Sequence, residues 1–181
     1  MTIKNISDYL EEIAPLNQAE DFDNVGLLIG NETTEVEGIL VTLDTLEETV
    51  DEAIKKKCNL IVSFHPIIFS GLKKINGNSY VEKVVLKAIQ NNIAIYATHT
   101  ALDNSKVGVS SKMCEKLGLI NYNILLPKED GNTGMGMIGD LPKPMQEADF
   151  LKFTKKTFKT NGIRFSNTTG NLVNKVAVLG G

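Results

Sequence analysis

The stretch Asn59-Leu-Ile-Val-Ser-Phe-His-Pro66 contains a predicted strand and the point at which that strand ends. Its apolar run, Leu60-Ile61-Val62, is short and rich in β-branched residues, which is typical of a strand buried in a parallel sheet. Pro66 has no amide hydrogen for a sheet ladder, so a central strand cannot continue through it. We therefore expect His65 just past the carboxyl end of a buried strand, which is the edge where open α/β sheets bind ligands.

Strands and helices alternate on both sides of this stretch. The predicted strands are 25–29, 39–43, 59–63 and 93–97, and the predicted helices are 3–13, 45–57, 79–91 and 107–117. From residue 39 onward this β-α-β-α-β-α order predicts right-handed crossovers between parallel strands. The expected fold class is α/β, a layered and mostly parallel sheet flanked by helices.

Several polar side chains lie where these strands end. Because the carboxyl ends of parallel strands meet at one edge, we expect Asp44, His65, His99 and Asp103 to gather there. His65 and His99 are the two histidines of the chain, and their separation of 34 residues is one strand–helix–strand unit. Their strands are therefore predicted to be neighbours. Asp23 and Asn24 abut another predicted strand, 25–29, and are candidates to face the same site.

Histidine nitrogen and aspartate oxygen at one edge suit a divalent ion such as Zn, Mn or Fe. His65 and Asp103 are the predicted ligands, and His99 is either a ligand or a group that orients one. The structural alternative is that His65 caps a loop and His99 is a hydrogen-bonded residue of the edge. Asp44 fits equally well as the N-cap of helix 45–57, and we favour that interpretation.

Composition narrows the classes of partner. The chain has 181 residues, the size of one domain, and a formal net charge of −3. Arg164 is the single arginine, which argues against nucleic acid because arginine is the preferred side chain for phosphate and guanine. Cys58 and Cys114 are too few for a disulfide framework and are interpreted as reduced cysteines of a cytoplasmic protein. Neither a signal peptide nor an apolar run of ~18 residues is present, so no membrane segment is expected.

The last third of the sequence is less regular. Further strands are predicted at 123–126, 134–139, 163–165 and 173–179, and a helix at 146–158. The polar run 128–133 is a candidate insertion point. The sequence stops at Gly180-Gly181, directly after a strand, and a strand that runs into two glycines normally continues into another element. We therefore expect a second half that is truncated.

Three segments together resemble one protein family: Phe22-Asp-Asn-Val-Gly-Leu-Leu-Ile-Gly30, Ser63-Phe-His-Pro-Ile-Ile-Phe-Ser-Gly-Leu-Lys73 and Thr98-His-Thr-Ala-Leu-Asp103. They are similar to the Nif-three-like family (NGG-interacting factor three-like proteins), whose members are named GTP cyclohydrolase 1 type 2 homologues. The resemblance implies an α/β fold of two related halves that assembles as a toroidal homohexamer. It divides the chain into a first half at 1–127, a polar break at 128–132, and the start of a second half at 133–181.

The resemblance also implies a site for two divalent metals. The family has two consecutive histidines before the proline; His65 matches the second, and Phe64 stands at the first. Asp103 matches a metal ligand, whereas His99 matches a residue that is near the metals without binding them. The family's remaining ligands, a histidine and a glutamate near the C-terminus, have no match here. Metal is therefore expected to be weakly held by this chain, or absent.

Two functions follow. The first is a metal-dependent hydrolase of a nucleotide or another phosphate-containing small molecule, with His65 and Asp103 on the metal and His99 or Asp23 moving protons. GTP ring opening is implied by the resemblance alone, and nothing in the sequence identifies the substrate. The alternative is a non-enzymatic metal-binding or partner-binding assembly protein, which Phe64 favours. A ring that encircles nucleic acid is not expected at this net charge.

Overall fold

The computed structural model describes residues 1–180, which form two compact units, Met1–Leu102 and the chain from Asp103 onward. The strands of the first unit are β1 (Gly26–Ile29), β2 (Ile39–Thr42), β3 (Leu60–Ser63) and β4 (Ala94–Ala97). Its helices are α1 (Ile3–Ile13), α2 (Glu47–Lys56) and α3 (Tyr80–Gln90), with a short 3-10 turn at Leu16–Gln18. These elements agree with the predicted ones to within two residues. Over the described part of the chain, no helix is long and apolar enough to cross a membrane.

The four strands form one sheet in the order β1-β4-β3-β2. β2, β3 and β4 are parallel, so the predicted parallel core is confirmed, and β3 and β4 are direct neighbours. β1 lies at the edge and pairs with β4 in the antiparallel direction. A short apolar strand has the same pattern in either direction, which is why its orientation could not be inferred.

Helices cover both faces of this sheet. Ile61 and Ile95 pack in one cluster with residues of α2 and α3. The alternate residues Leu60, Val62 and Tyr96 pack in a second cluster on the opposite face, with Ile6 and Leu10 of α1 among the residues against them. Because successive side chains of a strand point to opposite faces, this division accounts for the uninterrupted apolar runs of β3 and β4.

The second unit contains an antiparallel sheet in the order β5-β6-β7. Its strands are β5 (Ile120–Pro127), β6 (Gly134–Gln146) and β7 (Leu172–Val178), and its helices are α5 (Val109–Leu117) and α6 (Glu147–Phe158). A short helix, α4 (His99–Asp103), spans the boundary between the two units. The polar run 128–133 is a tight turn between β5 and β6, closed by a bond of 2.8 Å from the Lys128 amide to the Thr133 carbonyl.

Two sequence predictions change in this unit. The strand predicted at 163–165 is wrong, since this segment is irregular. The polar residues that follow it bind a side chain instead of a neighbouring strand: the Glu147 carboxylate accepts from the amides of Thr169 and Gly170 at 2.9 Å. β6 also extends well past 139, since it pairs with β7 again at Met145 and Gln146 after a register shift that begins at Asp140. The two prolines of β6 lie within that shift, where no ladder pair is formed.

Candidate active site

The site lies where the parallel strands end. β2, β3 and β4 are aligned so that their last residues lie opposite one another: Thr42, Ser63 and Ala97. Two residues further along, the same alignment brings Asp44, His65 and His99 into one row. Residues that are far apart in sequence therefore meet because each follows its strand by the same number of positions.

Backbone hydrogen bonds continue beyond the strands and hold this row in place. The His65 amide donates to the Leu43 carbonyl at 3.0 Å, and the His99 amide donates to the Phe64 carbonyl at 2.9 Å. The position of each histidine is thus fixed by the sheet itself. This rigidity suits a site whose side chains must keep a fixed geometry.

The two imidazoles are in contact. The ring centroids of His65 and His99 are 5.5 Å apart and the ring planes are inclined by 73°. The predicted adjacency of the two histidines is therefore confirmed, while their chemical role stays a prediction.

His65 is held by Asp44. Its Nδ1 lies 2.7 Å from Asp44 Oδ1, and both side chains are exposed, at 40% and 52%. The interpretation of Asp44 as a helix N-cap is wrong, because α2 begins at Glu47 and its N-cap is Leu46. The Leu46 amide donates to the Thr49 hydroxyl at 3.2 Å, and the Asp44 carboxylate bonds to His65.

His99 is held by Asp23 in a more enclosed setting. Its Nδ1 lies 2.8 Å from Asp23 Oδ1, and the aspartate side chain is fully buried. Asp23 also accepts hydrogen bonds from the Thr100 amide at 3.1 Å, the Thr100 hydroxyl, and the Asn24 amide at 2.7 Å. Burial alone would raise the pKa of Asp23, but the hydrogen bonds from Thr100, His99 and Asn24 outweigh it and lower that pKa below its usual range.

These contacts determine the tautomer of both neutral imidazoles. A carboxylate accepts hydrogen bonds and does not donate them, so in each neutral ring the proton lies on Nδ1. Nε2 then carries the lone pair in both His65 and His99. A free Nε2 lone pair is the form that binds a metal or takes a proton from a substrate or a water.

The backbone of His99 adds a second feature. Its φ is +25°, in the left-handed region that residues other than glycine rarely adopt. This strained residue begins α4, directly after β4. Strain of this kind clusters at functional sites, where surrounding contacts hold it in place.

Comparison with known proteins identifies the family. The whole chain, residues 1–181, matches the family described as Duf34/NIF3 (NGG1p interacting factor 3). The chain belongs to this family. A Clostridium acetobutylicum protein named GTP cyclohydrolase 1 type 2 homolog is 32% identical over 183 residues, which covers 100% of this chain and 68% of that protein. A Staphylococcus epidermidis protein of the same name is 41% identical over 125 residues, 69% of this chain and 34% of that protein.

Solved structures of the family have the same fold. Hypothetical protein SA1388 of Staphylococcus aureus aligns with a TM-score of 0.92 at 29% identity, over 100% of this chain and 72% of that one. A Bacillus cereus protein related to NIF3 aligns with a TM-score of 0.91 at 26% identity, over 100% of this chain and 77% of that one. The predicted α/β fold of this family is confirmed.

Phe64 directly precedes His65, at the position where the family resemblance implies a first histidine. Its ring centroid lies 5.0 Å from that of His65 and 5.6 Å from that of His99. Phe64 also lines an apolar groove of about 290 Å³ together with Leu10 and Ile13 of α1. Its side chain thus contacts both imidazoles without offering a ligand atom.

The donor set for a metal is incomplete. Within residues 1–180, no group of three or more His, Cys, Asp or Glu side chains is arranged to hold a metal ion. Asp103, the other predicted ligand, is the buried last residue of α4 and is described with the second unit. In that unit it lies beside Gly180, since a Cβ added to that glycine would be 3.0 Å from Asp103 Oδ1. The metal role of Asp103 stays a prediction.

Sequence reasoning missed three residues around His99. Thr100 supplies two of the hydrogen bonds to Asp23, and its position directly after the histidine was the available signal. Phe69 lies 6.1 Å from His99, measured between ring centroids. Phe22, which directly precedes Asp23, lies 6.4 Å from Phe69. Isolated phenylalanines in loops carry no pattern that predicts their neighbours.

Proposed function

We propose that this chain is a hydrolase that acts on a nucleotide or another phosphate-containing small molecule. The observation that carries the proposal is the pair of adjacent imidazoles, each tethered to an aspartate through Nδ1 with Nε2 free. Two such groups at one point can take a proton from a water and give one to a leaving group. The relatives' name, GTP cyclohydrolase 1 type 2 homolog, supports a nucleotide as the substrate class.

The two histidines would have different roles. The buried carboxylate of Asp23 fixes the tautomer and orientation of the His99 ring through Nδ1, so we assign His99 as the general base. His65 and Asp44 are more exposed and are therefore the side chains that an entering substrate reaches first. We assign His65 to binding the substrate and, when its Nε2 also carries a proton, to donating that proton to the leaving group.

A divalent metal, Zn, Mn or Fe, is part of the proposal because the family resemblance implies it. Imidazole nitrogen suits each of these ions, but a catalytic zinc usually has three protein ligands. The residues described in this chain do not supply such a set. We therefore assign no step of the reaction to a metal and treat metal binding as a separate measurement.

The test combines hydrolysis with metal content. Full-chain protein, with each of the three metals added in turn, is assayed against a panel of nucleotides and phosphoesters. We expect His65→Ala and His99→Ala each to lower turnover by about 100-fold or more, and Cys58→Ser, which removes a free thiol and no imidazole, to leave turnover unchanged. If no member of the panel is hydrolysed, the hydrolase proposal is wrong. It is also wrong if His65→Ala loses its metal and its hydrolysis but keeps the full activity of the protein in cells.

The alternative function is a non-enzymatic metal-binding or partner-binding assembly protein. It is favoured by the apolar side chains that the edge strand β2 and its end expose, Val41 at 77% and Leu43 at 60%. We propose the homohexamer of the family resemblance as the assembly. Light scattering on the purified chain measures its mass, and a monomer at micromolar concentration would contradict the hexamer.

We also propose a cytoplasmic location and no nucleic-acid partner. Cys58 and Cys114 are both free, which suits a reducing compartment. The net charge of −3 and the single arginine disfavour phosphate-backbone binding. Fractionation of cells and a DNA-binding assay at low salt check these two points.

A further inference from the structure

Two large aromatic side chains beside the histidines are exposed. Phe22 is 66% exposed and Phe69 is 49% exposed. Their ring centroids are 6.4 Å apart and the ring planes are inclined by 54°. Exposed apolar rings are unfavourable in water, so a pair of them at a candidate site needs an explanation.

Both rings are tied to the groups that form the site. Phe22 directly precedes Asp23, the aspartate that holds His99. Phe69 lies on the loop after β3, and its ring centroid is 6.1 Å from that of His99. The side-chain amide of Asn24 donates to the Ile68 carbonyl at 2.5 Å, which joins the segment that carries Phe22 to the loop that carries Phe69. The two rings are therefore held at a fixed place next to the imidazoles.

We propose that Phe22 and Phe69 form a stacking subsite for the planar aromatic ring of a small-molecule ligand, of which a nucleobase is the class we commit to. A π-face accepts any flat ring, and stacking on a phenylalanine is the common way to hold a base without reading its edge. The imidazoles next to the subsite then reach the polar part of the same ligand. This inference rests on the proposed function insofar as the ligand is the hydrolase's substrate.

The chain offers a matched control for the test. Phe165, in the second unit, is 65% exposed, nearly the same as Phe22. Phe22→Leu, Phe69→Leu and Phe165→Leu each remove a ring and keep an apolar side chain. The probes are GMP and AMP, with ribose 5-phosphate as the ligand that lacks a base, and equilibrium dialysis measures each dissociation constant.

We expect Phe22→Leu and Phe69→Leu each to weaken GMP and AMP binding by about tenfold. Binding of ribose 5-phosphate should not change in either variant, because that ligand has no ring to stack. Phe165→Leu should bind all three probes as the wild-type chain does. Saturation-transfer NMR should show the base protons, and not only the ribose protons, in contact with the wild-type protein.

Three outcomes would overturn the inference. The first is wild-type nucleotide affinity in both Phe22→Leu and Phe69→Leu, and the second is a wild-type chain that binds GMP no better than ribose 5-phosphate. The third is an oligomer that dissociates in these variants while nucleotide affinity stays the same, since the rings would then be an interface between copies.

Failure of this inference differs from failure of the proposed function. If His65→Ala loses turnover while the phenylalanine variants bind nucleotide normally, only the stacking subsite is wrong. If the wild-type chain binds GMP through these rings and hydrolyses nothing on the panel, the stacking subsite stands and the hydrolase is wrong.

Discussion

His65 and His99 lie opposite each other at the ends of adjacent parallel strands, with ring centroids 5.5 Å apart. Each is tethered by an aspartate, but the two aspartates are in different surroundings. Asp44 is half exposed, whereas the side chain of Asp23 is fully buried. The His65–Asp44 and His99–Asp23 pairs have the same atoms in contact, yet we expect them to contribute differently to the free energy of unfolding. Water weakens the exposed pair and not the buried one.

Asp23→Asn and Asp44→Asn test this difference directly. Asp23 accepts four hydrogen bonds, from His99, Asn24 and both donors of Thr100, and an amide group at this position cannot accept all of them. We expect Asp23→Asn to lower the free energy of unfolding by about 1–3 kcal/mol. Asp44→Asn should change it by about 0.5 kcal/mol or less, because an exposed pair contributes little. Urea denaturation of both variants measures the difference, and equal losses would contradict it.

The pH dependence of stability follows from the lowered pKa of Asp23. The pKa of an aspartate in an unfolded chain is about 3.9. Below that pH the unfolded chain binds a proton at Asp23, while the folded chain keeps this carboxylate ionised. The contribution of Asp23 to the free energy of unfolding is therefore complete above the pKa of the unfolded state. It is lost as the pH falls through the pKa of the folded state. We expect the stability gap between wild type and Asp23→Asn at pH 5 to narrow as the pH falls below about 4, toward the pH where the carboxylate of the folded chain takes up a proton.

Subtracting the variant isolates Asp23 from other carboxylates. Backbone amides also lower the pKa values of Glu82, Asp130 and Glu147. These groups are present in both proteins, so their acid-dependent losses cancel in the difference. Urea titrations at several pH values give the gap, and a gap that widens in acid would show that Asp23 does not titrate as described.

The sequence predicts that Asp44, His65 and His99 lie together at the ends of their strands. It does not predict which carboxylate bonds to which histidine. The apolar run before His65 and the separation of 34 residues from His99 predict two neighbouring parallel strands. Because these strands are aligned in register, the histidines that follow them lie side by side. Asp44 was misjudged because an aspartate before a helix is a common N-cap, and only the structure shows that Leu46 takes that position. The bond between Asp23 and His99 joins residues 76 positions apart. Asp23 precedes the antiparallel edge strand β1, whose direction the sequence pattern does not encode, and His99 follows β4.

Gly30 is expected to be intolerant of a side chain. Its φ is +115°, and a Cβ at this position would lie 2.5 Å from Ala94 Cβ on β4. Gly71, in the loop after β3, has open space around it and is the matched control. We expect Gly30→Ala to lower the free energy of unfolding by about 2 kcal/mol or more, and Gly71→Ala to change it by less than about 1 kcal/mol. Thermal and urea unfolding check this, and equal behaviour of the two variants would contradict the close approach of β1 to β4.

Phe64 stands where the family resemblance implies a histidine, which makes it the position to test for metal binding. Its ring already contacts both imidazoles, so a nitrogen introduced there would be close to theirs. We expect Phe64→His to tighten zinc binding by about tenfold or more, because even indirect partners of a metal ligand change affinity by that factor. Mass spectrometry of the protein after zinc loading and dialysis measures the metal retained per chain.

Phe64→Leu is the control, since it removes the same ring and adds no ligand atom. The double variant Phe64→His with His65→Ala should lose the gain, because one imidazole would replace another. Phe64 also lines the apolar groove beside Leu10, so Phe64→His should unfold at lower urea concentration than wild type. Tighter zinc binding together with lower stability would mean that this chain has a packed ring where the Nif-three-like pattern has a ligand. Equal zinc in Phe64→His and Phe64→Leu would mean that the position does not face a metal at all.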